Sequence, residues 1–242
     1  MSKYALITGG TKGIGYAVAK NLAKTGYNLL LTYCSDTIIA QKSCNELRDA
    51  YNIEVTAIQA DSSDKNAIDV VSHHIISHGI RLDVLLFNAG FTCRDGFETM
   101  LYDDWERVFF ANVHFPVFLI QRLIGNINAG GSVIFTGSCM GFLPHAQSLS
   151  YGVTKAAVHA LVKNLVKFLT PWQIRVNAVA PGFVDTAWQK DKPVEIRKSI
   201  EDKIALGRFC EPDELSGIYQ LLIDNTYING EIIIADGGYS YK

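Results

Sequence analysis

The chain is poor in the features that mark secreted, membrane-spanning or metal-caged proteins. Its five cysteines, at 34, 44, 93, 139 and 210, are odd in number and scattered. No Cys-x-x-Cys occurs, so reduced thiols are expected rather than a disulfide framework or a zinc cage. No apolar run reaches the ~18 residues that a bilayer span needs. The N-terminus runs into a strand-like segment, with no secretory core and cleavage site. Charged residues make up only 19% and the net charge is −2, which suggests neither a nucleic-acid footprint nor disorder. Repeats, low-complexity tracts and Pro/Gly linkers are missing. The expectation is a cytoplasmic protein with no membrane, nucleic-acid or metal partner. A chain of 242 residues can bury a real core, and one domain over 1–242 is the simplest division.

What is present is an alternation of apolar strands and amphipathic helices. Tyr4–Thr8 reads as a buried strand, and Gly9-Gly-Thr11-Lys12-Gly13-Ile14-Gly15 follows it, leading into an amphipathic run from Tyr16 to Lys24. Strand, glycine turn and helix together suit a pyrophosphate: missing Cβ atoms allow close approach, and the helix N-terminus aims free N–H groups at it. The second strand, Asn28–Tyr33, ends in Thr32-Tyr33-Cys34-Ser35 with no carboxylate before Asp36. An acidic residue there would bond the adenosine ribose of NAD. Its absence, with Lys12 in the glycine turn, favours NADP(H), with NAD(H) as the alternative. Further strands are expected at Glu54–Ala60, Leu82–Phe87, Gly131–Gly137, Gln173–Ala180 and Gly230–Ala235. Helices are expected over 37–50, 64–77, 103–124 (kinked at Pro116) and 213–223. The pattern predicts an α/β fold: a doubly wound, Rossmann-type parallel sheet of about seven strands with helices on both faces. Residues 187–205 are polar and weakly patterned, as a mobile substrate lid would be. His74 and His78 share a helix face, but no third ligand is in reach and a solvated face is the better reading.

The stretch from Ser148 to Leu169 carries the chemistry. Tyr151 and Lys155 stand four residues apart, one turn on a helix face. An ammonium beside a phenol lowers its pKa, so the tyrosine is expected to shift downward and to exchange a proton with a substrate oxygen. In a parallel sheet, working residues lie past the C-terminal strand ends, which brings Ser138, the Asn88-Ala89-Gly90 turn and the Gly9 turn to the same edge. Asn112, a polar amide inside an apolar helix, is either a core hydrogen bond or a site residue.

Taken together, the Gly9–Gly15 turn, Asp61, Asn88-Ala-Gly90, Asn112, Ser138, Tyr151-x-x-x-Lys155 and Pro181-Gly182 resemble the short-chain dehydrogenase/reductase family in order and spacing along the whole chain. The resemblance implies that Tyr151 is the acid in carbonyl reduction and that Lys155 bonds the nicotinamide ribose. It implies that Ser138 holds the substrate oxygen and that Asn112 holds a water leading to Lys155. Gly9, Thr11, Lys12, Gly13, Ile14 and Gly15 would form the pyrophosphate turn, with Tyr33 and Ser35 beside it. Asp61 and Ser62 would meet the adenine; Asn88, Ala89 and Gly90 the adenosine half; Pro181, Gly182, Val184 and Thr186 the nicotinamide amide. Within the family the likeness is to 3-oxoacyl-[acyl-carrier-protein] reductases of fatty acid biosynthesis, through Thr92-Cys-Arg-Asp95, Arg175–Gly182, Leu206-Gly-Arg208 and Asp236-Gly-Gly238. That implies NADPH-dependent reduction of a 3-oxoacyl thioester, carried on an acyl carrier protein, by a homo-oligomer (tetramer or dimer). The carrier-docking positions lack their usual cations, since 126–131 and Trp172-Gln173 are uncharged. The alternatives are an NAD(P)-dependent alcohol or sugar dehydrogenase and a non-catalytic NADP-binding regulator.

Overall fold

A computed structural model describes residues 2–242. Its centre is a parallel sheet ordered β3-β2-β1-β4-β5-β6-β7. The strands are β1 (Lys3–Thr8), β2 (Tyr27–Tyr33), β3 (Val55–Gln59), β4 (Leu82–Phe87), β5 (Ile127–Thr136), β6 (Arg175–Pro181) and β7 (Ile232–Ala235). Side chains alternate between two cores, as period-two strands require. On β1, Ala5 and Ile7 face one core and Leu6 the other. On β4, Val84 and Leu86 divide in the same way from Leu85 and Phe87. Strands buried on both faces read as unbroken apolar runs.

Helices α1 (Gly13–Lys24), α2 (Thr37–Tyr51) and α9 (Pro212–Asp224) supply Leu22, Leu47 and Tyr219 to the first core. Helices α3 (Asn66–Ser77), α5 (Phe115–Leu123) and α6 (Leu149–Leu169) supply Val71, Phe115 and Val162 to the second. Each fully buried side chain of this size contributes about 1.5–3 kcal/mol. The strand order reverses between β1 and β4, which opens a crevice past their C-terminal ends.

Several expectations are corrected. The helix expected over 103–124 is interrupted beside Pro116: α4 (Tyr102–Phe109) runs into a π turn at Phe110–His114, with Phe115 N–H donating to Phe110 O, and then into α5. Pro116 has no N–H to give, and the wider turn just before it accommodates that loss. Tyr102–Asn126 as one helix is long and apolar enough to cross a membrane. Its Phe115, Leu119, Ile120 and Leu123, however, are buried against the sheet. β5 begins at Ile127, four residues before Gly131, because Ile127 pairs with Leu82 ahead of a register shift. The weakly patterned segment 187–205 carries regular structure. It holds α7 (Ala187–Lys190) and α8 (Val194–Glu201), anchored by buried Ile200 and Ile204 against Phe209 and by Arg197 on Asp185 at 3.2 Å.

Candidate active site

Two strand-end turns form the floor of the crevice. After β1, Gly9 and Gly13 adopt φ of +62° and +58°, which a side chain would strain. After β4, Asn88 Nδ2 donates to the carbonyls of Thr8 and Gly9 at 3.2 and 3.1 Å. Thr8 Oγ1 accepts from the N–H groups of Asn88 and Ala89, both at 3.0 Å. The turns are therefore locked to each other by short polar groups.

Around them lies a cleft of about 410 Å³. It is lined by Gly9, Thr11, Lys12, Gly13 and Ile14; by Tyr33 and Ser35; by Asp61 and Ser62; by Asn88, Ala89 and Gly90; and by Pro181, Gly182, Val184 and Thr186. Ser138, Tyr151 and Lys155 line the same cleft. Two expected residues do not. Gly15 lies inside α1, where a Cβ would meet Asn88 Nδ2 at 2.6 Å, so it is a close-packing position behind the turn. Asn112 sits in the π turn and braces the loop after β4: its Oδ1 accepts from Phe91 N at 2.8 Å, and its Nδ2 donates to Phe91 O at 3.0 Å and Thr154 Oγ1 at 2.9 Å.

The β2 end bears on the ribose. The strand stops at Tyr33, and Asp36 caps α2, accepting from Ile39 N at 3.1 Å. Lys12 is exposed and forms no ion pair among the described residues. Asp61 feels burial, which would raise its pKa. Hydrogen bonds from Ser63 N and Oγ, at 2.9 and 2.8 Å, together with Arg107, outweigh it and hold the carboxyl below its usual range.

At the other end, α6 delivers the working pair. Ser148 Oγ caps its first turn, accepting from Tyr151 N at 3.3 Å. Lys155 is only 5% exposed. Its Nζ donates to Thr136 O at 2.6 Å and lies over the Tyr151 ring, 5.5 Å from its centroid. The expected downward shift of the tyrosine is overturned. Burial pushes the Tyr151 phenol up to about 12, against an opposing hydrogen bond with Ser138. Burial alone brings Lys155 down to about 8. The phenol's packed surroundings govern its proton even though part of the ring remains exposed. Ser138 Oγ accepts from Met140 N at 3.2 Å, which leaves its own proton free to donate.

Sequence reasoning missed Arg107 and Trp188, both in the lining. Arg107 reaches back from α4 to stack on Phe91 at 4.3 Å, donate to Ser63 Oγ at 3.1 Å and pair with Asp61 at 3.8 Å. Trp188 stands edge-on to Tyr151 with centroids 6.0 Å apart. Neither carries a local signal; a lone Arg or Trp on a helix is ordinary.

Residues 9–240 match the family model described as enoyl-(acyl carrier protein) reductase. The chain is 30% identical over 240 residues to the 3-oxoacyl-[acyl-carrier-protein] reductase FabG of Aquifex aeolicus, covering 98% of this chain and 96% of that one. It is 33% identical over 245 residues to the sorbose reductase sou1 of Schizosaccharomyces pombe, covering 98% and 95%. It superposes on a short chain dehydrogenase from Burkholderia cenocepacia solved in complex with NADP, at a TM-score of 0.90 and 28% identity, with 98% of each chain covered.

Proposed function

Since the chain belongs to the short-chain dehydrogenase/reductase family, we propose that it reduces a ketone to a secondary alcohol with NADPH, its preferred substrate being a 3-oxoacyl thioester. The observation that carries this reading is the convergence of Ser138, Tyr151 and Lys155 on the same cleft as the two glycine turns.

The cleft suits a dinucleotide on its own geometry. The turns at Gly9 and Gly13 present bare backbone, and the first turn of α1 holds no acidic residue to repel a pyrophosphate. Lys12 would take the ribose 2′-phosphate, with Tyr33 and Ser35 beside it; NADP bound to the Burkholderia relative supports that preference. When bound, the nicotinamide supplies the hydride. The protein's residues handle the proton. A phenol held near 12 is protonated at neutral pH and is ready to donate its Oη proton to the substrate oxygen. Ser138 Oγ–H donates to the same oxygen and stabilises charge growing there. Lys155, cationic below about pH 8, lies over the ring and favours the phenolate that forms. Asn112 acts by holding the Phe91 loop beside Lys155.

The reading includes a homo-oligomer. Ala156 and Ala160 are exposed on α6, beside Val153 and Phe168 at 41% and 72% exposure, so this chain's own core does not use that face. The thioester reading does not rest on carrier-protein docking at 126–131, where the cations are missing.

The test is to mix the protein with NADPH and an acetoacetyl thioester and follow cofactor absorbance. Consumption supports the reading, and no consumption with any ketone ends it. A second reading, sugar reduction, draws on the sorbose reductase relative, and turnover of ketoses but not thioesters would select it.

A further inference from the structure

A chain of buried hydroxyls runs behind the floor of the cleft. Side chains alternate along β5, so Ile134 and Thr136 face the first core while Phe135 faces the second. On that side Tyr219 of α9, fully buried, places its Oη 2.8 Å from Thr136 Oγ1. Thr136 Oγ1 donates in turn to Asn88 Oδ1 at 3.4 Å. Asn88 Nδ2 ends the chain on the carbonyls of Thr8 and Gly9. The backbone carbonyl of the same Thr136 accepts from Lys155 Nζ.

Counting donors fixes the direction of the chain. Asn88 Nδ2 is committed to two carbonyls, so its Oδ1 turns toward Thr136 and can only accept. A threonine hydroxyl carries a single proton. Given to Asn88, it leaves Thr136 Oγ1 to accept from Tyr219 Oη–H. Burial raises the pKa of the Tyr219 phenol, which keeps that proton in place. Tyr219 also stands on a firm platform. Arg175 Nη1 and Nη2 donate to the carbonyls of Leu222 and Ile223 at 2.7 and 2.6 Å, and Asn21 Nδ2 donates to Gln220 Oε1 at 2.9 Å. Stability does not account for the two hydroxyls. An apolar pair of the same shape would pack as well, because a buried hydrogen bond does little more than offset the desolvation of its partners. What the hydroxyls add is orientation: they hold the Asn88 amide with its N–H edge toward the Gly9 turn.

We propose that Tyr219 is a positioning residue: through Thr136 it orients the Asn88 amide and so sets the Gly9 turn for the cofactor's pyrophosphate. This rests on the reductase reading above for the identity of the cofactor. Thr136 is the joint between the floor and the working pair, since its side chain serves Asn88 and its carbonyl serves Lys155. The pyrophosphate is common to both dinucleotides. The effect of Tyr219 is therefore the same on NADPH and NADH, unlike that of Lys12 at the ribose.

The experiment uses three single variants. Tyr219→Phe keeps the ring and removes Oη, Thr136→Val removes Oγ1 with little change of shape, and Tyr27→Phe removes a hydroxyl from the same core as a control. NADPH and NADH are titrated into each and followed by nicotinamide fluorescence, with urea midpoints measured alongside. The expected result is that Tyr219→Phe raises the Kd of both cofactors about three- to tenfold, while Tyr27→Phe changes neither. The double variant of Tyr219 and Thr136 should lose no more than Thr136→Val alone, because both act through one chain. If Tyr219→Phe shifts only the urea midpoint and both Kd values stay as in wild type, Tyr219 is a core residue and the proposal is overturned while the reductase reading stands. An equal loss in Tyr27→Phe, a loss confined to NADPH, or additive losses in the double variant overturns it as well. If wild type binds neither dinucleotide, the reductase reading falls and hydrogen exchange at the N–H groups of Asn88 and Ala89 decides the alignment. Faster exchange there in Tyr219→Phe but not in Tyr27→Phe upholds it; equal exchange overturns it.

Discussion

The floor of the cleft is made of strand ends hydrogen-bonded to one another, whereas its rim carries the half-exposed aromatic side chain of Trp188 from the short helix α7. On the floor, Thr8, Gly9, Asn88 and Ala89 satisfy each other. On the rim, Trp188 is 46% exposed and stands edge-on to Tyr151. A floor whose polar groups are already satisfied presents the same backbone geometry to any ligand. A rim with an exposed aromatic side chain discriminates between ligands by what packs on it. On this reading the floor supplies the reaction and the rim selects the substrate.

Four measurements would break or sharpen that contrast. The largest effect is expected at the boundary: Tyr151→Phe should lower kcat about 10²–10⁴-fold and leave NADPH binding in place, as stopped-flow and fluorescence titration would show. A smaller loss would remove Tyr151 as the acid.

The next concerns the floor's buried cation. Burial lowers Lys155 from 10.5 to about 8. Between those values the unfolded chain keeps a proton that the folded chain has released, so stability climbs as pH rises through the window. That climb should be about 2–3 kcal/mol and should vanish in Lys155→Met, read from urea midpoints at the two ends of the window. Using the difference from wild type removes the cysteines and tyrosines that titrate in both proteins. Equal climbs would mean that Lys155 is not held in a desolvated place.

Lys12→Ala should weaken NADPH about tenfold more than NADH in binding titrations. An equal loss would deny phosphate recognition. Smallest is the rim aromatic: Trp188→Ala should raise substrate KM about two- to tenfold without changing cofactor affinity. A change in cofactor affinity instead would assign Trp188 to the floor.

Much of the frame was legible in the residues. Leu82–Phe87 reads as a strand because both its faces are buried. The glycine turn and the Tyr151–Lys155 spacing identified the cleft. The start of β5 was not legible, since Asn128, Gly130 and Gly131 show no alternation and pairing with β4 decides where the strand begins. Nor were the helices within 187–205, whose apolar anchors Ile200 and Ile204 acquire meaning only against Phe209. Arg107 and Trp188 reach the cleft from elements far along the chain, which spacing cannot reveal.

The residue order by itself determined the alternation of strands and helices, the side-chain-free turns and the helical step between residues 151 and 155, because each depends on neighbours within a few positions. Only the assembled structure decided the direction of the phenol's pKa and the use of Asn112 as a brace. Those outcomes depend on what distant elements cover and what they leave unpaired, and desolvation is a property of the packed whole.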